Sequence, residues 1–101
     1  MKTFLTIWSY KIVTGREKDF ERLYGKDGDW VKLFRKHPDY IKTELEKDLN
    51  DELHYITIDY WKSKESYYNF REEVKKEFVI IDKYGEELTL TETHLGEFEM
   101  R

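Results

Sequence analysis

The chain contains no cysteine. Disulfides, thiolate catalysis and cysteine-ligated metals are excluded together, and the composition suits a reducing compartment. Proline occurs once, at Pro38, and glycine only five times in 101 residues. There is no low-complexity linker, and a single domain is expected over these residues. No apolar run approaches the about 18 residues that a membrane span needs. From Thr3 onward the chain alternates polar and apolar residues instead of forming the continuous apolar core of a signal peptide. A cytoplasmic protein with no membrane partner is expected. A basic surplus is missing as well, with 18 Lys and Arg against 22 Asp and Glu and a formal charge of -4. Release of counterions from a phosphate backbone needs clustered Lys and Arg, so no nucleic-acid partner is expected. Histidine is scarce, and His37, His54 and His94 have no paired spacing, so no metal site is expected.

What the chain does have is rings. Aromatic residues make up 17% of it and charged residues 40%. Each ring can bury about 150–250 Å², so apolar burial is concentrated in rings within one domain, residues 1–101. For chains this short, burial barely offsets the entropy of ordering. Self-association would supply further burial.

The pattern organises around Leu53 to Phe70, LHYITIDYWKSKESYYNF. Its first half alternates as a strand, with His54, Ile56, Ile58 and Tyr60 on one face and Tyr55, Thr57, Asp59 and Trp61 on the other. At Lys62 and Ser63 the period becomes helical, and Ser63 is placed to accept from first-turn amides. Upstream, Thr3 to Val13 alternates with Phe4, Thr6, Trp8, Tyr10 and Ile12 opposite Leu5, Ile7, Ser9 and Lys11. Arg16 to Tyr24 is helical, Gly25 and Gly28 interrupt it, Asp29 can cap a restart through Trp30, Leu33 and Phe34, and Pro38 stops it. Tyr40 to Asp48 alternates with one charged face, as an edge strand does. Lys64 to Tyr84 keeps Tyr67, Phe70, Val74, Phe78 and Ile81 at helical spacing, with Gly85 placed to end it. Leu88 to Phe98 is strand-like.

The order strand, helix, strand, strand, helix, strand predicts an α+β, ferredoxin-like βαββαβ fold with one antiparallel four-stranded sheet and the helices on one face. The opposite face, read as carrying Leu5, Ile7, Tyr55, Trp61 and Leu95, then lacks a cover, which predicts a homodimer through that face. On this reading His54, Ile56, Ile58 and Tyr60 lie under the helices.

The segments WSYKIVTGREKDFERLY, GDWVKLFRKHPDYIKTEL, YITIDYWKSKESYYNF and LTLTETHLGEF, taken in order and over nearly the whole chain, resemble the antibiotic biosynthesis monooxygenase family. The resemblance implies a dimeric α+β barrel with a pocket between sheet and helices. It also implies that an activity, if present, is oxidation of an aromatic molecule without metal or flavin, so no cofactor is expected. Heme-degrading members use an asparagine on the first strand and a tryptophan and histidine on the helix after the third. The corresponding positions here are Trp8, Phe70 and Ile80, none of which matches. Polyketide-oxidising members use Trp, Tyr, Asn and Arg in the pocket, and Trp8, Trp30, Tyr60 and Tyr67 are the counterparts by type.

Among candidate site residues, His94 is the expected proton acceptor, because an imidazole ordinarily changes charge near neutrality. The bland reading makes His94, like His54, a hydrogen-bonded structural histidine, and places His37 in solvent at a helix end. Trp8, Trp30, Phe34, Tyr60, Tyr67 and Phe70, with Tyr10, are expected to line a substrate pocket, or else to fill the core. Asp59 is read as a polar partner at the dimer interface, and REEVKKE as a solvated helix face. An RNA-recognition module shares the topology, but ELHYITIDYW has neither the glycine nor the basic residue that its third strand needs. Two functions stay open: cofactor-free oxygenation or binding of a small aromatic molecule, and a non-catalytic homodimeric ligand-binding or structural protein.

Overall fold

The computed structural model describes residues 2–101. The four alternating stretches form strands β1 (Phe4–Ile12), β2 (Tyr40–Lys47), β3 (His54–Trp61) and β4 (Thr89–Glu99). They make one antiparallel sheet in the order β2-β3-β1-β4. Helices α1 (Glu17–Tyr24), α2 (Asp29–Phe34), α3 (Lys64–Glu73) and α4 (Lys75–Leu88) fill the two connections. The architecture is the expected ferredoxin-like α+β arrangement.

Local chemistry explains most boundaries. The Ser63 hydroxyl accepts from the Ser66 N–H at 3.1 Å and starts α3. The long helix expected from Lys64 to Tyr84 is instead two, bent at Val74 (φ -107°, ψ 26°). Backbone bonds Val74 N–H to Phe70 O and Phe78 N–H to Val74 O span the bend. It aims Phe70 at Trp61 and Phe78 at Trp30. Gly85 does not end the helix, which runs on to Leu88. A Cβ at Gly85 would lie 2.5 Å from the Tyr24 hydroxyl oxygen, so the glycine serves the packing of α4 on α1.

The two sheet faces are assigned by the register of β1 on β3, which pairs Phe4 with Trp61, Thr6 with Asp59, Trp8 with Thr57 and Tyr10 with Tyr55. All eight residues face the helices, and Tyr55 and Trp61 are 2% and 0% exposed. This corrects the expected dimer face. Leu5 and Ile7 do lie on the outer side, but their neighbours there are Tyr60 and Ile58, while Tyr55 and Trp61 are core. Both faces of β3 are apolar by composition; the large rings take the deep space under the helices, and the β-branched Ile56 and Ile58 take the flatter outer side. Leu95 is skipped where β4 pairing jumps from Gly96 opposite Ile7 to His94 opposite Trp8. That bulge leaves Leu95 half exposed and puts Gly96 at φ 153°.

At the centre of the core, Trp61 contacts the rings of Phe34, Tyr40, Tyr67 and Phe70 at centroid distances of 5.4–5.6 Å. His37 is not a free solvent residue. Its ring lies 5.3 Å from Phe70 and 5.7 Å from Trp61, and its Nδ1 accepts the Asp39 N–H at 3.0 Å. No helix among the described residues is long and apolar enough to cross a membrane.

Candidate functional site

The rings do not fill all the space between sheet and helices. A cavity of about 350 Å³ remains, a size that suits a small molecule. Trp8 and Tyr10 of β1 form its floor, and Tyr24 of α1, Trp30 and Phe34 of α2, Tyr67 of α3 and Phe78 of α4 form its walls. Polar groups enter from three of the strands: Thr43 of β2, Thr57 and Asp59 of β3, and Glu92 of β4. Arg71 of α3 and Asp82 of α4 complete the lining.

Asp59 is the buried charge of this cavity. Among the described residues its only hydrogen-bond donor is Thr43, whose Oγ1 lies 2.5 Å from Oδ1. The Thr43 hydroxyl has one proton and gives it to Asp59, so it accepts from the Tyr40 hydroxyl at 2.8 Å. Burial pushes the Asp59 carboxyl up to about 6, and the Thr43 bond opposes the shift only in part. The phenols of Tyr10, Tyr24 and Tyr67 are all raised, first by burial. Among the described residues the indole N–H of Trp30 has no aligned acceptor, although it lies close enough to the Tyr24 hydroxyl to ease that phenol's ionisation slightly.

Four of the residues expected to bind substrate, Trp8, Trp30, Phe34 and Tyr67, line the cavity together. Phe70 lies behind it, 3% exposed, between Phe34 and Trp61. Tyr60 faces away on the outer side of the sheet, where its hydroxyl donates to Glu44 at 2.5 Å. His94 stands one ring outside the lining: it stacks on Trp8 with centroids 4.5 Å apart, its Nε2 is 2.9 Å from Thr6 Oγ1, and the residue is exposed. His54 is bonded on the outer face to Ser9 and Asp48. Sequence reasoning missed Asp59 as a site residue, along with Tyr24, Thr43, Thr57, Arg71, Phe78, Asp82 and Glu92. The signal for Asp59 was its alternation with Thr57 and Trp61, which the register with β1 turns inward. Asp82 and Glu92 gave none: Asp82 lies in the helical stretch IIDKYGEE and Glu92 between two threonines of the last strand, and neither pattern sets its carboxylate apart.

No family model matches the chain, and no curated protein matches it in sequence. Solved structures do match it. SnoaB of Streptomyces nogalater, a cofactor-independent oxygenase, superposes with a TM-score of 0.81 at 16% identity, covering 100% of this chain and 95% of that one. The putative antibiotic biosynthesis monooxygenase of Bordetella bronchiseptica gives 0.78 at 16%, covering 100% and 99%. That of Nitrosomonas europaea gives 0.74 at 8%, covering 97% and 89%. The chain has the fold of the antibiotic biosynthesis monooxygenases. Identities this low establish the monooxygenase-like fold and leave the chemistry to be argued from the cavity.

Proposed function

We propose that the chain binds a small aromatic molecule in the cavity between sheet and helices and oxygenates it without a cofactor, with Asp59 as the base. The observation that carries this reading is a single buried carboxylate, ionised in its larger part at neutral pH, set among aromatic walls. The ring stacks among Trp8, Trp30 and Phe78. A phenolic or activated methylene proton passes to Asp59. The resulting carbanion delivers its electrons to molecular oxygen, the co-substrate, forming the new C–O bond of a peroxide. Protonation and loss of water then leave a carbonyl on the substrate. His94, held outside the lining by Trp8 and Thr6, serves to position Trp8.

The test uses an anthrone-like substrate with oxygen uptake as the readout. Asp59→Asn is expected to lower the rate by about 10²–10⁴, and His94→Ala to keep most of it. Loss of rate in His94→Ala with Asp59→Asn unaffected would reverse the assignment.

The partner we propose is a second copy of the chain. Leu5, Ile7, Ile56 and Ile58 form a partly buried apolar strip across β1 and β3 on the sheet face away from the helices. Packing two such strips together supports the homodimer reading.

A further inference from the structure

The cavity carries more negative charge than one base requires. Besides Asp59, Asp82 of α4 and Glu92 of β4 open onto it, and among the described residues Arg71 is the one cation of the lining. Among the described residues none of these four groups forms an ion pair. Arg71 lies over the Phe78 ring, 4.6 Å from its centroid, and 5.6 Å from that of Tyr67, so its charge is directed at ring faces. Glu86, one turn beyond Asp82, adds its field to both mouth carboxylates.

Burial and this crowding of carboxylates raise the groups together. Asp82 is raised from its ordinary value by burial and then by Glu86, with Arg71 opposing. Glu92, at the exposed rim, is raised by partial desolvation and then by Asp82 and Glu86. The same field reaches the phenols of the wall. After burial, Glu92 is the next cause raising Tyr24, and Glu92 and Asp59 both contribute at Tyr10. A phenol of a bound molecule would meet that field too, and would yield its proton reluctantly. Asp59 supplies an independent sign of a missing counterpart. It is buried and faces the cavity, its Oδ2 has no donor among the described residues, and no cation of the chain reaches it.

We propose that the molecule taken by this cavity carries a protonated amine, its ammonium seated at the mouth between Asp82 and Glu92 and its ring among Trp8, Trp30 and Phe78 with the acidic proton toward Asp59. This rests on the pocket reading above and adds the charge of the substrate. The ammonium relieves the repulsion between Asp82, Glu86 and Glu92, and the ring faces of the wall attract a cation. Its positive charge also offsets the field that opposes phenolate formation at the Asp59 end. A substrate of the opposite charge would meet three carboxylates and one guanidinium already engaged with rings.

The experiment is calorimetric titration of the full chain with three probes that share one phenol ring: tyramine (cationic), para-ethylphenol (neutral) and para-hydroxyphenylacetate (anionic). Tyramine is expected to bind about tenfold or more tighter than the anion, with the neutral probe between them. In Asp82→Asn/Glu92→Gln the preference is expected to fall to about twofold or less. Para-hydroxyphenylacetate binding as tightly as tyramine overturns the amine proposal while the pocket reading stands. A tyramine preference that survives the double variant overturns the mouth seat and moves the ammonium to Asp59. Failure of all three probes to bind at millimolar concentration removes the pocket reading, and this proposal with it. The order of the probes on the unmodified chain decides the charge question even where the double variant does not fold.

Discussion

A carboxyl raised to about 6 by burial changes charge within the range where a base is useful. The shift also acts on stability. The folded pKa of Asp59 lies above the unfolded value, so its contribution to folding is fully present below about 4 and is lost as pH rises through about 6. We expect Asp59→Asn to be more stable than the unmodified chain by roughly 2–3 kcal/mol at neutral pH, with the gap closing at about pH 4, measured by chemical denaturation at both. Equal stability at neutral pH would contradict a desolvated carboxylate. The oxygenation rate of the unmodified chain should rise with pH through about 6, since the base acts ionised. Asp59 was readable as the carboxylate set between rings on β3. Its role was not, because a residue between Thr57 and Trp61 goes to the cavity or to the outer face according to strand register, and both faces of β3 have apolar residues to bury.

Elements were legible wherever a period was clean. The four strands, the break between α1 and α2, and the Ser63 start of α3 all follow from alternation, glycine and capping chemistry. What escaped was set by tertiary contact. Val74 bends the helix so that two phenylalanines reach different parts of the core, and no propensity announces that. Gly85 has the signature of a helix end, yet it lies inside α4 because the Tyr24 hydroxyl needs its space. Gly85→Ala therefore sets a helix-propensity gain of about 1 kcal/mol against a clash. We expect net destabilisation of about 1–2 kcal/mol by thermal unfolding, with Tyr24 displaced. Stabilisation, as at a solvent-exposed helix glycine, would show that Tyr24 moves freely. The β4 bulge did have a signal, the isolated Gly96 inside a strand pattern, but alternation alone does not say which neighbouring residue the register skips.

At the scale of the molecule, the sheet separates two apolar environments, a ring-lined layer under the helices and an aliphatic strip on the far side. The far side is where a second copy is proposed. Ile58→Glu, which leaves the cavity side of β3 unchanged, is expected to halve the mass seen by light scattering at micromolar concentration, and a monomeric mass for the unmodified chain would refute the dimer. A dimer is expected from the number of apolar faces alone, whereas which residues those faces hold depends on the register, which turns Tyr55 and Trp61 inward. The inner layer has an optical consequence. The three tryptophans occupy graded positions: Trp8 partly exposed at the cavity, Trp30 8% exposed in its wall, and Trp61 fully enclosed with no partner for its indole N–H among the described residues. Excited at the indole band, the chain should therefore emit as separable populations. Acrylamide should quench Trp8 and spare Trp61, and an aromatic molecule entering the cavity should protect Trp8 while leaving the blue-shifted Trp61 component untouched. The protein thus carries its own fluorescent reporter of occupancy, with an internal reference on the strand next to it.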